Sequence, residues 1–333
     1  MSRTIRVGIV GCGGIARAHV NGYKGNKGVT IVAVYDVRPQ AADKLAEETG
    51  ARVVGSLDEM VKGGDLDAVS ICSPPAMHLD NCMPFLKAGI GILCEKPLEV
   101  NAGKAGQLAA LSRRSRSVFM TAFCHRFHPA IVELKGLIDR DILGKPLLFR
   151  NIFGGYLALK GNHRTDPKLS GGGCLADNCA HSVDLFRFLV GDPVAAQAMA
   201  GNIMQKLRIE DFGMINLATR GSAAFGEITS SYSLKVCGNF VEWYGTKGTA
   251  IVSYWNPGFP DLSYKVEGGN AWKPVDCAKH PDRFVGEVRH FLDCVRRRKQ
   301  PAITAADGFK AACIIRAIYQ SAGKGKRIPV SYR

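Results

Sequence analysis

The 333-residue chain is long enough for two domains at roughly 150 residues each. Hydrophobic residues at 46% and charged residues at 22% match a soluble protein that buries a sizeable core, and no apolar stretch of about eighteen residues offers a membrane span. The formal charge of +15 invites polyanions, but the basic clusters Arg113-Arg114-Ser115-Arg116 and Arg296-Arg297-Arg298-Lys299 carry no interleaved aromatics, so neither nucleic acid nor membrane is an expected partner.

Residues 5–10, Ile-Arg-Val-Gly-Ile-Val, read as a strand buried on both faces. They end in Gly11-Cys12-Gly13-Gly14-Ile15-Ala16, a G-x-G-x-x-A sequence, and a helix is expected from there to about Lys24. Gly11 permits a tight turn, Gly13 lets backbone approach a pyrophosphate, and Ala16 lets helix and strand pack closely. The helix start, at Gly14 and Ile15, offers N–H groups and partial positive charge to phosphates. A second apolar run, 29–35, ends at Asp36, twenty residues past Ala16. A carboxylate there accepts hydrogen bonds from an adenosine ribose, and the plainer alternative is an acid capping the next helix. Arg38 could instead meet a 2′-phosphate, so NAD is favoured and NADP stays open.

Further strands are expected at 68–72, 90–94 and 118–123, with helices at 40–49, 76–88 and 102–112 between them. This alternation predicts a parallel sheet with right-handed crossovers: an α/β Rossmann domain over residues 1–122, binding a dinucleotide across its carboxyl edge. Ser73, Pro74, His78 and the triplet Glu95-Lys96-Pro97 fall at that edge, where ligands bind in such sheets. A lysine in that position is ordinarily a solvated charge. One between a glutamate and a proline that restricts its backbone is less ordinary.

Residues 123–333 change pattern and form the second expected domain. A helix at 129–139 leads to strands at 147–153, 212–218, 223–231, 240–244 and 250–254, and alternation over 223–229 suggests one covered face and one open face. Helices at 283–297 and 305–322 close the chain, the first with Phe284, Val288, Phe291 and Val295 on one stripe. The densest chemistry lies in Gly171-Gly172-Gly173-Cys174-Leu175-Ala176-Asp177-Asn178-Cys179-Ala180-His181-Ser182-Val183-Asp184. If the triple glycine opens a helix, Asp177 and His181 share a face and Asp184 lies three beyond. A carboxylate beside an imidazole fixes its tautomer and suits it to proton transfer near neutrality. A solvent-facing Asp–His pair and a zinc site from Cys174, Asp177 and His181 are the alternatives, although a fourth zinc ligand is not evident. A Cys179–His181 nucleophile is disfavoured because residues two apart point to different helix faces. The eleven cysteines show no CxxC pair and read as reduced, buried thiols.

Together these residues resemble the glucose–fructose oxidoreductase / inositol dehydrogenase / rhizopine catabolism (Gfo/Idh/MocA) family. The resemblance runs from the glycine turn through Asp36, Ser73-Pro74, His78 and Glu95-Lys96-Pro97. It continues through Arg126-Phe127-His128-Pro129, the 171–184 segment and Tyr244-Gly245-Thr246-Lys247-Gly248-Thr249. It implies a C-terminal α+β domain on a large open mixed sheet, whose outer face commonly makes homodimers or homotetramers, and a sugar or cyclic polyol substrate. By position, Lys96 polarises the reacting oxygen, Asp177 holds the substrate and His181 takes the hydroxyl proton, with Arg126 and Arg164 lining the pocket. Two departures stand out: Cys179 where the family usually has glycine, and Cys124-His125 where Asn-Arg is common. The expectation is a cytoplasmic NAD-dependent dehydrogenase acting on a secondary alcohol. The alternatives are a redox-neutral enzyme that retains NAD and a non-catalytic nicotinamide-binding sensor.

Overall fold

The computed structural model describes residues 3–159, 161–236, 238–254, 256 and 258–333. It divides into two compact units, one comprising Met1–Cys124 and Asp282–Phe309, the other His125–Pro281 and Lys310–Arg333.

The first unit holds a six-stranded sheet formed by β1 (Ile5–Val10), β2 (Val29–Tyr35), β3 (Arg52–Val53), β4 (Ala68–Ile71), β5 (Gly91–Glu95) and β6 (Phe119–Ala122). The spatial order is β3-β2-β1-β4-β5-β6 and every pairing is parallel. Helices α1 (Gly14–Lys24), α2 (Pro39–Thr49), α3 (Leu57–Lys62), α4 (His78–Ala88) and α5 (Ala102–Arg114) connect the strands. Strands β4, β5 and β6 are buried at every position, which is why they read as unbroken apolar runs rather than as alternation. The order reverses between β1 and β4, so the carboxyl ends of these two strands flank the crevice where such sheets bind ligands.

The first unit also takes in a segment the sequence reading gave to the second domain. Helix α9 (Arg283–Arg297) packs on α1. The close approach needs glycine: a Cβ on Gly22 would lie 2.8 Å from the Phe284 carbonyl oxygen and from Val288 Cγ2, and one on Gly25 would lie 2.7 Å from Val285. Asn26 Nδ2 donates to the carbonyls of both Gly22 and Val285, and Arg296 donates to those of Lys27 and Gly28. Of the apolar stripe seen in the sequence, Val288 meets α1 at Gly22, and Val295 lies where a Cβ on Gly91 of β5 would be 2.8 Å away. Val288, Phe291 and Leu292 are fully buried, each contributing about 1.5–3 kcal/mol.

The second unit is built on a nine-stranded mixed sheet. Its strands are β7 (Pro146–Gly154), β8 (Ala195–Gly201), β9 (Phe212–Ala218), β10 (Phe225–Ser231), β11 (Asn239–Gly245), β12 (Gly248–Tyr254), β13 (Leu262–Val266), β14 (Lys273–Pro274) and β15 (Ile328–Pro329). The order is β14-β13-β12-β11-β7-β10-β9-β8-β15, with β7 and β10 parallel and the remaining pairs antiparallel. Helices α6 (Pro129–Asp139), α7 (Pro167–Ser170), α8 (Asn178–Leu189) and α10 (Ala305–Lys324) complete the helix set. Helix α8 lies on β7 and β10, where Phe186 meets Phe149 edge to face and sits so close to Gly226 that a Cβ there would be 2.8 Å away. The alternation expected over 223–229 is present: Gly226 and Ile228 face inward, Phe225 outward. Strand β8 was not expected, because its run of alanines has little strand propensity; pairing with β9, Met199 opposite Met214, makes it one.

Among the described residues no helix is long and apolar enough to cross a membrane. Ten cysteines are described, all buried and free, and Cys237 lies outside the described residues.

Candidate active site

The glycine turn after β1 sits at the sheet's switch point. Gly11 has φ +86°, and a Cβ on it would lie 2.6 Å from the Ser73 nitrogen and 2.7 Å from the Cys72 carbonyl carbon, so only glycine fits between the two strand ends. Gly13 and Gly14 are the opposite case, because a Cβ on either meets nothing within 4 Å. Gly13 caps α1 with no side-chain hydrogen bond, which leaves the first N–H groups of the helix facing that open space. Ile15 follows in the first turn, and Ala16 is fully buried against the sheet. The residues present therefore fit a dinucleotide pyrophosphate.

Asp36 closes the turn. Its Oδ2 accepts from the Cys12 nitrogen at 2.7 Å and its Oδ1 from the Arg38 nitrogen at 2.8 Å. The helix-capping alternative is not met, because the next helix is capped at Arg38 with no side-chain cap bond; the carboxylate stands just past the end of β2, where a ribose diol is bound in such sheets. Arg38 Nε lies 3.5 Å from the same carboxylate, and its side chain is otherwise exposed. Burial, then the charge of Asp36, pushes the Cys12 thiol up to about 12, so it stays neutral beside the phosphate position.

The next two edge loops are braced from beneath. His78 is fully buried, and its ring nitrogens lie 2.9 Å from the Ser73 carbonyl and 3.2 Å from the Leu98 carbonyl. Burial lowers its pKa, against the pull of those carbonyls and of Glu99 and Glu95. The ring ties the loop at Ser73 and Pro74 to the loop after β5. Asn81 Nδ2 donates to Ser73 Oγ at 2.9 Å.

Glu95 Oε2 accepts from the Lys96 backbone nitrogen at 3.0 Å, while Oε1 meets His19 Nε2 at 2.9 Å. His19 Nδ1 lies 3.0 Å from Ser70 Oγ, which lies 2.8 Å from Tyr23 Oη. Burial opposes a charge on His19, but Cys72 and Glu95 together raise it well above the ordinary imidazole range. Lys96 is half-buried and stands on this buried pair. Sequence reading missed His19, Ser70 and Tyr23, which join only through the fold.

In the second unit the 171–184 segment differs from expectation at its start. Helix α8 begins at Asn178, and Asp177 occupies the cap position without a side-chain cap bond. The Asp177 carboxylate turns to Arg164 Nε at 2.9 Å and Tyr232 Oη at 2.7 Å, both on Oδ2. Burial first, then the charge of Asp177, holds the Tyr232 hydroxyl well above its usual range, so it donates. Arg164 was expected here; Tyr232, at the end of β10, was not.

His181 is buried on α8 with its ring 4.2 Å from that of His125, and Phe153 stands edge-on to both at 4.9 and 5.8 Å. His125, noted from the sequence as a departure from the family pattern, is therefore the imidazole packed against His181. The other departure is silent: Cys179 is fully buried, and burial pushes its thiol up to about 12. Cys174 donates to the Ser230 carbonyl, and burial raises its thiol too. Asp184 forms a bidentate pair with Arg126 at 2.6 and 2.8 Å and is almost wholly buried. The Arg126 guanidinium also lies over the Phe188 ring. Through Asp184 and Phe188 it braces α8.

Two family profiles match this chain: "Oxidoreductase family, NAD-binding Rossmann fold" over residues 5–123 and "GFO/IDH/MocA C-terminal domain" over residues 131–251. Inositol 2-dehydrogenase of Rhizobium meliloti (strain 1021) is 24% identical over 98% of this chain and 100% of its own length. D-glucoside 3-dehydrogenase of Escherichia coli (strain K12) is 26% identical over 98% of each. Among solved structures, levoglucosan dehydrogenase in complex with NADH superposes with a TM-score of 0.91 at 21% identity, covering 99% of this chain and 100% of that one. That likeness shows the fold.

Proposed function

Because the chain belongs to the Gfo/Idh/MocA oxidoreductase family, we propose that it is an NAD-dependent dehydrogenase of a secondary alcohol on a sugar, glycoside or cyclic polyol. The observation that carries this reading is the pairing, in one chain, of an open glycine cradle at a switch point with a buried histidine one turn into α8. The relatives named for inositol, glucoside and levoglucosan support the substrate class.

Bound NAD supplies the acceptor for the hydride that leaves the alcohol carbon. Gly13, Gly14 and Ile15 would hold its pyrophosphate on the turn that Gly11 permits and the packing that Ala16 allows, and Asp36 would hold the ribose while repelling a 2′-phosphate, which favours NAD over NADP. His181 takes the hydroxyl proton as that hydride departs. Lys96 stabilises the developing negative charge on the oxygen, and a charge-assisted contact is strongest where water is excluded. Asp177, oriented by Arg164 and Tyr232, accepts a hydrogen bond from a substrate hydroxyl. The exposed methionines Met199 and Met214 on the open sheet face support a homodimer or homotetramer.

The test mixes purified protein with NAD, then with NADP, and follows reduced-cofactor absorbance over sugars, glycosides and inositols. Reduction of NAD by one substrate class supports the reading. Silence across the panel, from protein that binds no nicotinamide, overturns it.

A further inference from the structure

The triple glycine has no role in the chemistry just described. Its surroundings supply one. Glu210, in the connection from β8 to β9, receives three hydrogen bonds on a single carboxylate oxygen: Gly173 N at 2.9 Å, Leu175 N at 2.9 Å and Tyr319 Oη at 2.7 Å. Its backbone carbonyl accepts a fourth, from Cys174 N at 3.1 Å. The approach leaves no room for side chains. A Cβ on Gly173 would lie 1.9 Å from the Glu210 carbonyl oxygen, and one on Gly172, at φ +149°, would lie 1.8 Å from Tyr319 Oη.

What Glu210 holds at one end delivers Asp177 at the other. The Gly173 carbonyl accepts from the nitrogens of Ala176 and Asp177, both at 3.1 Å, and the Cys174 carbonyl accepts from Cys179 N at 2.9 Å, in the first turn of α8. Ser230 Oγ donates to the same Cys174 carbonyl at 3.0 Å. The turn is thus a single hydrogen-bonded unit with a carboxylate as its anchor. Charge-assisted bonds of this kind are shorter and stronger than neutral ones.

We propose that Glu210, backed by Tyr319, is a positioning residue that sets Asp177 and the start of the His181 helix for substrate. The proposal rests on the dehydrogenase reading for its kinetic consequence, not for its structural one. Glu210→Ala removes the anchor; Glu210→Gln keeps an acceptor oxygen in place; Tyr319→Phe removes one donor only. A displacement of about 1 Å in a reacting group costs on the order of 100-fold.

With levoglucosan and myo-inositol as probes, Glu210→Ala is expected to lose about 100-fold in kcat/KM. The loss falls on both KM and kcat, NAD affinity stays at the wild-type value, and Glu210→Gln recovers most of it. Independently of any substrate, amide exchange in the peptide covering residues 171–181 should accelerate in Glu210→Ala and stay near wild type in Glu210→Gln. Unchanged exchange in the alanine variant overturns the proposal, as does wild-type kcat and KM from that variant. If wild-type protein turns over neither probe, the dehydrogenase reading is what suffers, and the exchange measurement still decides the role of Glu210.

Discussion

Two glycine turns lie at the heart of this protein, one in each unit, and they use the same residue for opposite ends. In the turn after β1, Gly13 and Gly14 face empty space, so the missing side chains make room for something the chain does not contain. In residues 171–173, the room left by Gly172 and Gly173 is already taken, by Tyr319 and by the Glu210 backbone. The first is left unfilled by the protein's own atoms. The second is a socket for the protein's own groups. A glycine-rich motif therefore says that something comes close, and only the fold says whether that something is foreign or native.

Four substitutions bear on the contrast. The largest effect belongs to the helix that the second turn delivers: His181→Asn should lower kcat by about 10²–10⁴-fold while leaving NAD affinity unchanged, read by steady-state kinetics beside a cofactor titration. Retained turnover would remove His181 from the proton-transfer role. Next comes the buried His19–Glu95 pair beneath the Lys96 loop, where losing one partner costs roughly 3–5 kcal/mol. Folding holds the His19 proton more tightly than the unfolded chain does. Its contribution is therefore fully present below the ordinary imidazole pKa of about 6.5 and fades as pH rises through the raised folded value. Unfolding curves of wild type and His19→Gln should differ most on the acid side of that range and converge towards alkaline pH. A gap that widens with pH would contradict the assignment.

The last two variants address the two turns themselves. Gly173→Ala drives a Cβ into backbone and should cost about 1–3 kcal/mol of stability, with NAD affinity unaltered. Gly13→Ala meets no protein atom, so the melting temperature should hold while NAD binding weakens by roughly tenfold, the scale of one displaced contact. If both variants melt early, or both bind NAD normally, the distinction between vacancy and socket fails.

The same contrast explains what was legible beforehand. The first unit follows from local patterns: apolar runs for strands buried on both faces, and a turn whose small residues lie within six positions of one another. Its strand ends fall within about a residue of expectation, and Asp36 lies where the spacing placed it. What escaped notice even there was the short β3 and α3, and contacts that come from a distance. His19 meets Glu95 across 76 positions, and α9 returns to α1 from the far end of the chain. In the second unit almost everything important is of that kind. Asp177 depends on Tyr232, 55 positions away, and residues 173 and 175 depend on Glu210 and, through it, on Tyr319. Helical spacing put Asp177 on one face with His181; the glycines pinned by Glu210 delay the helix to Asn178 and turn the carboxylate elsewhere. Strand β8 was missed because alanine carries no strand signal of its own, and its pairing with β9 supplies what propensity does not.

The return of α9 to the first unit has a consequence for the order in which the protein is made. A ribosome releases β1 to β6 early, yet the helix that covers α1 over Gly22 and Gly25 is encoded only from Arg283 onward. Until then, that glycine-floored furrow on the nascent Rossmann unit faces water or a chaperone. The amino-terminal unit begins first but is closed only by residues Asp282–Phe309, so a chain cut after Cys124 is a fragment with an open flank, and the stretch from Asp282 onward carries the closing piece of both units.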